Sequence, residues 1–254
     1  MPEPVKVNVV SYGGVKPGQM VVGNTKDGGK TTLFDAASAT DGSYMFYRYA
    51  GLTSWNVDLP NLTNGSSMFY ICSNLTSFDA ALPNLTNGFY MFQNCSSLTS
   101  WNVDLPKLTS GGAMFDHCGL TSWNVDLPSL TNGNGMFSVC TGLTSFSSAL
   151  PSLTNGGSMF RNCTGLTSFS SALPSLTNGN LMFEACNLYP ESVKTILNSI
   201  PDRASAGLDI ATLTIGKRTN FKSDPGVKEL LGETGDEITA KTYSFKGWNV
   251  VVQN

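Results

Sequence analysis

The stretch LTSWNVDLPKLTSGGAMFDHC, residues 98–118, decides the fold because its pattern recurs along the chain. Read alone, it combines a tryptophan, two acids, a histidine and a cysteine, which are residue types found in metal sites and ring-stacking sites. The same spacing of leucine, proline, glycine, Met-Phe and cysteine returns in six full copies between about residues 52 and 186. A period this short indicates a repeat architecture, in which each copy buries its apolar face against its neighbours.

Each copy reads L-T-S-[WF]-x-x-x-L-P-x-L-T-[NS]-G-x-x-M-F-x-x-C. We number the copies 1 to 6 by their first residues, which are Leu52, Leu75, Leu98, Leu120, Leu143 and Leu166. An incomplete copy, ATDGSYMFYRY (39–49), precedes them. β-branched and aromatic residues, with a proline and a glycine in every copy, favour strands and turns. We therefore expect a mainly β solenoid of about seven coils of 22–23 residues.

The T-[NS]-G turn of each copy carries two further predictions. We expect its glycine to adopt a positive φ, which costs little only for glycine. These glycines are Gly65, Gly88, Gly111, Gly133, Gly156 and Gly179. We also expect the asparagines beside them to form a ladder of hydrogen bonds between neighbouring turns. These asparagines are Asn64, Asn87, Asn132, Asn155 and Asn178.

This pattern resembles the BspA-like leucine-rich repeats, whose unit runs approximately L-T-S-I-x-I-P-x-x-V-T-x-I-G-x-x-A-F-x-x-C. The resemblance extends over more than half of the chain. It implies a right-handed leucine-rich-repeat solenoid with mostly non-catalytic roles in surface attachment, and similar repeats occur in phage tail and fibre proteins. The chain departs from the family unit in placing tryptophan or phenylalanine at the second core position.

The two ends of the chain depart from the repeat. Residues 1–40 are expected to form a small β N-terminal cap or a docking segment, because VKVNVV (5–10) alternates as a strand does and MVV (20–22) follows two turn signals. Residues 41–187 are expected to form the solenoid. Residues 188–254 are expected to form an α/β C-terminal cap. In it we expect a helix from Pro190, a strand over 208–216, a helix near Pro225 and a final strand in 246–253.

One aromatic residue per copy occupies the column Trp55, Phe78, Trp101, Trp123, Phe146 and Phe169. Exposed rings would make a stacking platform for sugars, whereas inward rings would fill the core. The resemblance implies the core, since the matching family position is an inward isoleucine. Alternation then turns the next polar residues outward. We call the outward Asn/Asp residues the polar strip: Asn56, Asp58, Asp79, Asn102, Asp104, Asn124 and Asp126.

The polar strip is the candidate ligand-binding site. Its acids and amides could bind carbohydrate or hold calcium weakly, and they could equally be the solvated face that any strand needs.

The six cysteines recur at one repeat position. Their even number allows disulfides, while the resemblance implies buried free thiols. His117 is the only histidine and lacks further metal ligands nearby. We predict no catalytic residues, no metal site and no cofactor.

Net charge and hydrophobicity limit the kinds of partner that the chain can have. A net charge of −3 gives no reason to expect nucleic acid, and no apolar run is long enough for a membrane span. No signal peptide is visible at the N-terminus. We expect a non-catalytic recognition or adhesion module that binds a protein or carbohydrate receptor, extracellular or at a bacterial cell surface. The alternative is a structural component of a phage virion, a tail or head fibre that contacts other virion proteins or the host receptor. The sequence does not determine the oligomeric state.

Overall fold

A computed structural model of the chain describes residues 19–24 and 30–254. The predicted strand at 5–10 lies outside these residues, whereas the MVV segment (20–22) of the expected β cap falls within β1 (Gln19–Asn24). β1 pairs antiparallel with β2 (Lys30–Asp35). No helix in the described residues is long and apolar enough to cross a membrane.

The repeats stack as a solenoid with very short strands. β3 (Ser54–Trp55) pairs in parallel with β4 (Ser77–Phe78), and β5 (Ser145–Phe146) pairs in parallel with β6 (Ser168–Phe169). Elsewhere neighbouring copies are joined by isolated parallel bridges. Each copy has two residues with positive φ beside its Met-Phe pair, and this backbone cannot continue a strand. They are Tyr44, Arg48, Ser67, Ile71, Tyr90, Asn94, Ala113, His117, Gly135, Val139, Ser158, Asn162, Leu181 and Ala185.

Two aromatic columns fill the core. The phenylalanines of the Met-Phe pairs stack face to face, with ring centroids 5.2–5.8 Å apart and planes within 3–7° of each other. They are Phe46, Phe69, Phe92, Phe115, Phe137, Phe160 and Phe183. The column that begins at Trp55 meets them edge to face and is also buried. The prediction that these rings fill the core is confirmed, and the sugar-stacking alternative at this column is wrong.

The turn glycines are required for a different reason from the predicted one. None of the six has a positive φ. A Cβ placed on Gly65 would lie 2.7 Å from Met91 Sδ, and a Cβ on Gly88 would lie 2.7 Å from Met114 Sδ. The methionine of the next copy packs over five of the six glycines, and at Gly179 the side chain of Leu213 in the following strand takes its place. These positions therefore need glycine because of steric crowding rather than backbone conformation.

The asparagine ladder is present between most copies. Asn87 donates from Nδ2 to Asn64 Oδ1 at 3.0 Å, and Asn178 donates in the same way to Asn155 at 2.9 Å. Each of these oxygens also accepts the backbone N–H two residues later in its own turn. Ser110 interrupts the ladder in copy 3, where its side chain is too short to reach the next amide. The ladder satisfies polar groups that neighbouring turns would otherwise bury unpaired.

A helix and sheet segment follows copy 6. The predicted helix is α1 (Pro190–Ser199), which buries Val193, Ile196 and Leu197. β7 (Ala211–Lys217) continues the stack of repeats, because Gly179 N–H donates to Thr212 O at 3.1 Å. The predicted strand at 208–216 thus begins three residues later than expected, and Leu208 and Ile210 before it are exposed.

The remaining elements complete a three-stranded sheet. A single 3-10 turn (Arg218–Asn220) leads to α2 (Pro225–Leu231), close to its predicted position. β9 (Trp248–Gln253) is central, with β7 parallel on one side and β8 (Thr242–Phe245) antiparallel on the other. β8 was not predicted from the sequence. The positive φ of Lys246 and Gly247 forms the tight turn of the β8–β9 hairpin, and Lys-Gly before a strand is the signal that marks it.

The stability of the C-terminal segment should depend on pH through Glu233. Its Oε2 accepts from Lys241 Nζ at 2.9 Å and from the Tyr243 hydroxyl at 2.8 Å. The hydrogen bond from Lys241, followed by those from Tyr243 and Gly235, lowers the pKa of Glu233 from 4.5 to about 2. The stabilisation from the ionised carboxylate is therefore complete above about pH 4.5 and is lost as the pH falls towards 2.

We expect Glu233→Gln to lower the melting temperature at pH 7, because the glutamine cannot accept as strong a hydrogen bond from Lys241. The difference from the unmodified chain should shrink as the pH falls from 4.5 to 2. Thermal unfolding over a pH series measures it. Glu229→Gln, on the exposed side of α2, is the matched control and should show no such trend. A difference that stays constant with pH would contradict the assignment.

Candidate functional site

The polar strip is exposed throughout, as the alternation predicted. All seven of its residues face solvent, while the ring before them and the leucine after them are buried. The exposed residues occupy the fifth and seventh positions of their copies. Six of the seven belong to the W-N-V-D segments of copies 1, 3 and 4, and Asp79 belongs to copy 2.

A hydrogen bond from each tryptophan shapes the W-N-V-D segments. The indole N–H donates to the carbonyl oxygen of the valine two residues later, at 2.8 Å in each case: Trp55 to Val57, Trp101 to Val103 and Trp123 to Val125. This bond satisfies the buried indole and closes a local turn. The asparagine inside that turn and the aspartate after it are left on the outer surface.

Four strip residues lie together in an open cleft of about 430 Å³: Asp58, Asp79, Asn102 and Asp104. The rest of the lining is apolar: Ala80, Ala81, Leu82, Pro83, Val103 and Pro106. Copy 2 has alanines where copies 1 and 3 have valine and aspartate, so its surface is recessed between theirs. The structure does not bring Asn56, Asn124 or Asp126 into this cleft.

The carboxylates of the strip have different partners. Asp58 Oδ1 accepts the backbone N–H of Ala81 at 2.8 Å, and Asp126 Oδ1 accepts that of Ala149 at 2.8 Å. These two aspartates join consecutive copies and are structural. Asp79 and Asp104 make no side-chain hydrogen bond or ion pair with any other described residue. Their oxygens are therefore available to a ligand in the cleft.

The residues around His117 form a local hydrogen-bond network. Gln93 Nε2 donates to Asp116 Oδ2 at 2.6 Å, and His117 Nδ1 lies 2.8 Å from Asp116 Oδ1. The His117 side chain is half exposed and is hydrogen-bonded to Asp116. Across residues 19–24 and 30–254 no three His, Cys, Asp or Glu side chains are grouped so that they could hold a metal ion.

Comparison with known families agrees with this architecture. The family model described as BspA type leucine rich repeat region matches residues 34–121 and 65–189, in six copies. Together the two spans cover more than half of the chain. The chain belongs to the BspA-type leucine-rich repeat family.

A solved leucine-rich repeat protein from Bacteroides ovatus ATCC 8483 is similar, at 20% identity with a TM-score of 0.40. The match covers 76% of this chain and 52% of that one, so the chain spans about half the length of that protein. Comparison with curated proteins gave no match.

The cysteine of each BspA-type repeat is a buried free thiol: Cys72, Cys95, Cys118, Cys140, Cys163 and Cys186. Each Sγ donates to the carbonyl oxygen of the core phenylalanine in the preceding copy, at 3.0–3.2 Å. Burial raises the pKa of the Cys72 thiol to about 12 and also raises the pKa of the other five. The thiols are thus unreactive structural residues.

We expect no thiol of the native chain to react with iodoacetamide at pH 8, because burial keeps each one protonated and inaccessible. All six should react after unfolding in guanidinium chloride without reductant. Intact-mass spectrometry before and after unfolding counts the labelled thiols. Fewer than six labels after unfolding would reveal a cross-link. Labelling of the native chain would show that the cysteine thiols are accessible to solvent.

Sequence reasoning missed a second surface of the solenoid. Four tyrosines and a phenylalanine in the incomplete copy and in copies 1 and 2 form one contiguous group. We call it the tyrosine cluster: Tyr44, Tyr47, Tyr70, Phe89 and Tyr90. These residues occupy positions that vary freely between copies, so the repeat consensus hides them. Comparing only the variable positions, copy by copy, is the signal that could have found them.

Proposed function

We propose that the chain is a non-catalytic recognition module that binds a receptor, protein or glycan, at a bacterial cell surface or on a phage particle. The observation that carries this proposal is the cleft, where the unpaired carboxylates of Asp79 and Asp104 lie beside the Asn102 amide. Members of the family to which the chain belongs are mostly non-catalytic surface proteins. Such a role needs a rigid scaffold with exposed recognition groups, and the stacked repeats supply one.

The chemistry of the cleft limits the kind of receptor. Its polar groups are three carboxylates and one amide, and no cationic side chain lines it in the described residues. Carboxylates accept hydrogen bonds and attract positive charge. The receptor should therefore present hydroxyl or ammonium donors, as a hydroxyl-rich or amino-sugar glycan or a lysine-bearing protein loop does.

We also propose that the repeats form about seven right-handed coils (41–187) closed at both ends. Residues 1–40 would cover the first coil and residues 188–254 the last. The hydrogen bonds from β7 to the Gly179 turn support the second assignment. Closure is needed because an open solenoid end exposes core residues and unpaired backbone groups.

Binding of the double variant Asp79→Asn, Asp104→Asn tests the recognition role. The probes are a printed glycan array that includes amino sugars, and synthetic peptides that carry lysine. We expect the unmodified chain to bind one of these classes and the double variant to lose at least about tenfold in affinity. Asp126→Asn, outside the cleft, is the matched control and should bind normally. Equal binding by the double variant, or no binding by the unmodified chain, would remove the cleft as the recognition site.

A further inference from the structure

The tyrosine cluster is not a requirement of the repeat fold. Copies 3 to 6 have no aromatic residue at any of the positions that the cluster occupies. The Tyr90 position holds Ser67, Gly135 or Ser158 in other copies, and the Tyr70 position holds Ser138 in copy 4. Tyr90 also has a φ of 59°, which bulky residues rarely adopt. Small residues occupy this position in copies 1, 3, 4 and 5, so the repeat fold does not require an aromatic residue there.

The rings of the cluster support one another in a fixed arrangement. Tyr47 stacks on Tyr70 with centroids 4.9 Å apart and planes 5° apart, and Tyr70 meets Tyr90 edge to face at 6.4 Å. The ring centroids of Phe89 and Tyr90 lie 4.0 Å apart. The Phe89 ring lies against Gly112 of the next copy, where a Cβ would be 2.7 Å from it. An ordered surface of this kind loses little conformational entropy when it binds a partner.

Ring geometry favours a protein over a sugar. Sugars stack on an open ring face, but Tyr47 and Tyr70 cover each other's faces, and the Arg48 guanidinium lies 5.4 Å over the Tyr47 ring. The stacked faces of Tyr47 and Tyr70 are therefore not open to a sugar. Tyrosine and arginine are the residues most enriched at the energetic centres of protein interfaces.

The positive charge of Arg48 indicates the charge of the partner. The exposed Arg48 has no carboxylate partner in residues 19–24 and 30–254, although the chain as a whole carries a net charge of −3. The hydroxyl groups of Tyr70 and Tyr90 make no hydrogen bond with the described residues. A partner that supplies a carboxylate could pair with Arg48 and accept from a tyrosine hydroxyl.

We propose that the tyrosine cluster, together with Arg48, is a docking surface for a protein that presents a carboxylate beside apolar side chains. It is independent of the receptor cleft, since the cleft residues occupy the fifth to ninth positions of their copies and the cluster the fifteenth to twentieth. One solenoid would then hold a receptor at one surface and a protein partner at the other.

Selection of displayed random peptides on the full chain tests this proposal. We expect the enriched peptides to combine an acidic residue with apolar residues. Tyr70→Ser, Tyr90→Ser should weaken their binding by at least about tenfold. The serines copy residues found at the same positions elsewhere in the repeat, so the fold should survive, and circular dichroism and thermal unfolding check this. Arg48→Gln should weaken acidic peptides more than their amidated analogues.

Two controls separate this surface from others. Tyr189→Ser removes an exposed tyrosine outside the cluster and should leave peptide binding unchanged. Asp79→Asn, Asp104→Asn should also leave it unchanged, so failure here and failure of the receptor cleft are distinguishable. Absence of enrichment, enrichment of basic peptides, or equal binding by the serine variant would overturn the proposal. Self-association in sedimentation that the serine variant abolishes would overturn it too, since it would identify a second copy as the occupant.

Discussion

Replacing Phe115 by alanine is expected to lower the free energy of unfolding by about 3–5 kcal/mol. Phe115 is fully buried in the middle of the phenylalanine column, stacked between Phe92 at 5.5 Å and Phe137 at 5.8 Å. Trp101 and Trp123 meet it edge to face, with ring centroids 4.7 and 5.1 Å from that of Phe115. Rings from three copies would line the resulting cavity, and the rigid stack can collapse only partly to fill it.

Urea unfolding followed by both far-ultraviolet circular dichroism and tryptophan fluorescence measures this loss. Coincidence of the two transitions is needed because repeat arrays can unfold in parts. Phe89→Ala is the matched control, since Phe89 lies on the surface of the preceding copy, and it should cost less than about 1 kcal/mol. A loss for Phe115→Ala no greater than that of the control would mean that the column does not hold adjacent copies together.

Much of the core could be predicted because every inward residue repeats. The leucine, methionine, phenylalanine and cysteine columns follow from the period alone, and the strip follows from alternation once the Trp101 column is placed inward. The helix from Pro190 follows equally from its apolar spacing. Each of these inferences depends on a local pattern that many residues share.

The chemical distinction within the strip could not be predicted in this way. Asp58 and Asp104 have the same repeat position and the same neighbours in sequence. Asp58 accepts the backbone N–H of Ala81 in the next copy, whereas Asp104, whose next copy has Asp126 at the matching place, accepts none. The cleft likewise arises from the contrast between adjacent copies. Such differences depend on pairs of copies in register, which a consensus averages away.

The physical reason for the recurring turn glycines also could not be predicted from the sequence. Their recurrence was visible in the sequence, but its cause was not, since positive φ and steric crowding both select glycine. We expect Gly88→Ala to lower the free energy of unfolding by about 1–3 kcal/mol, because the added Cβ overpacks the core. It would lie 2.7 Å from Met114 Sδ and 3.4 Å from Leu108 Cδ1.

A double-mutant cycle with Met114→Ala separates the two causes. If crowding by Met114 explains the cost, removing that side chain should relieve it, and the double variant should be more stable than the sum of the single losses by about 1 kcal/mol. Gly135→Ala provides the comparison, because Gly135 has a φ of 64° and no atom closer than 4.0 Å to an added Cβ. Its cost is conformational, about 1 kcal/mol. Additivity of Gly88→Ala and Met114→Ala would show that contact with Met114 does not select the glycine.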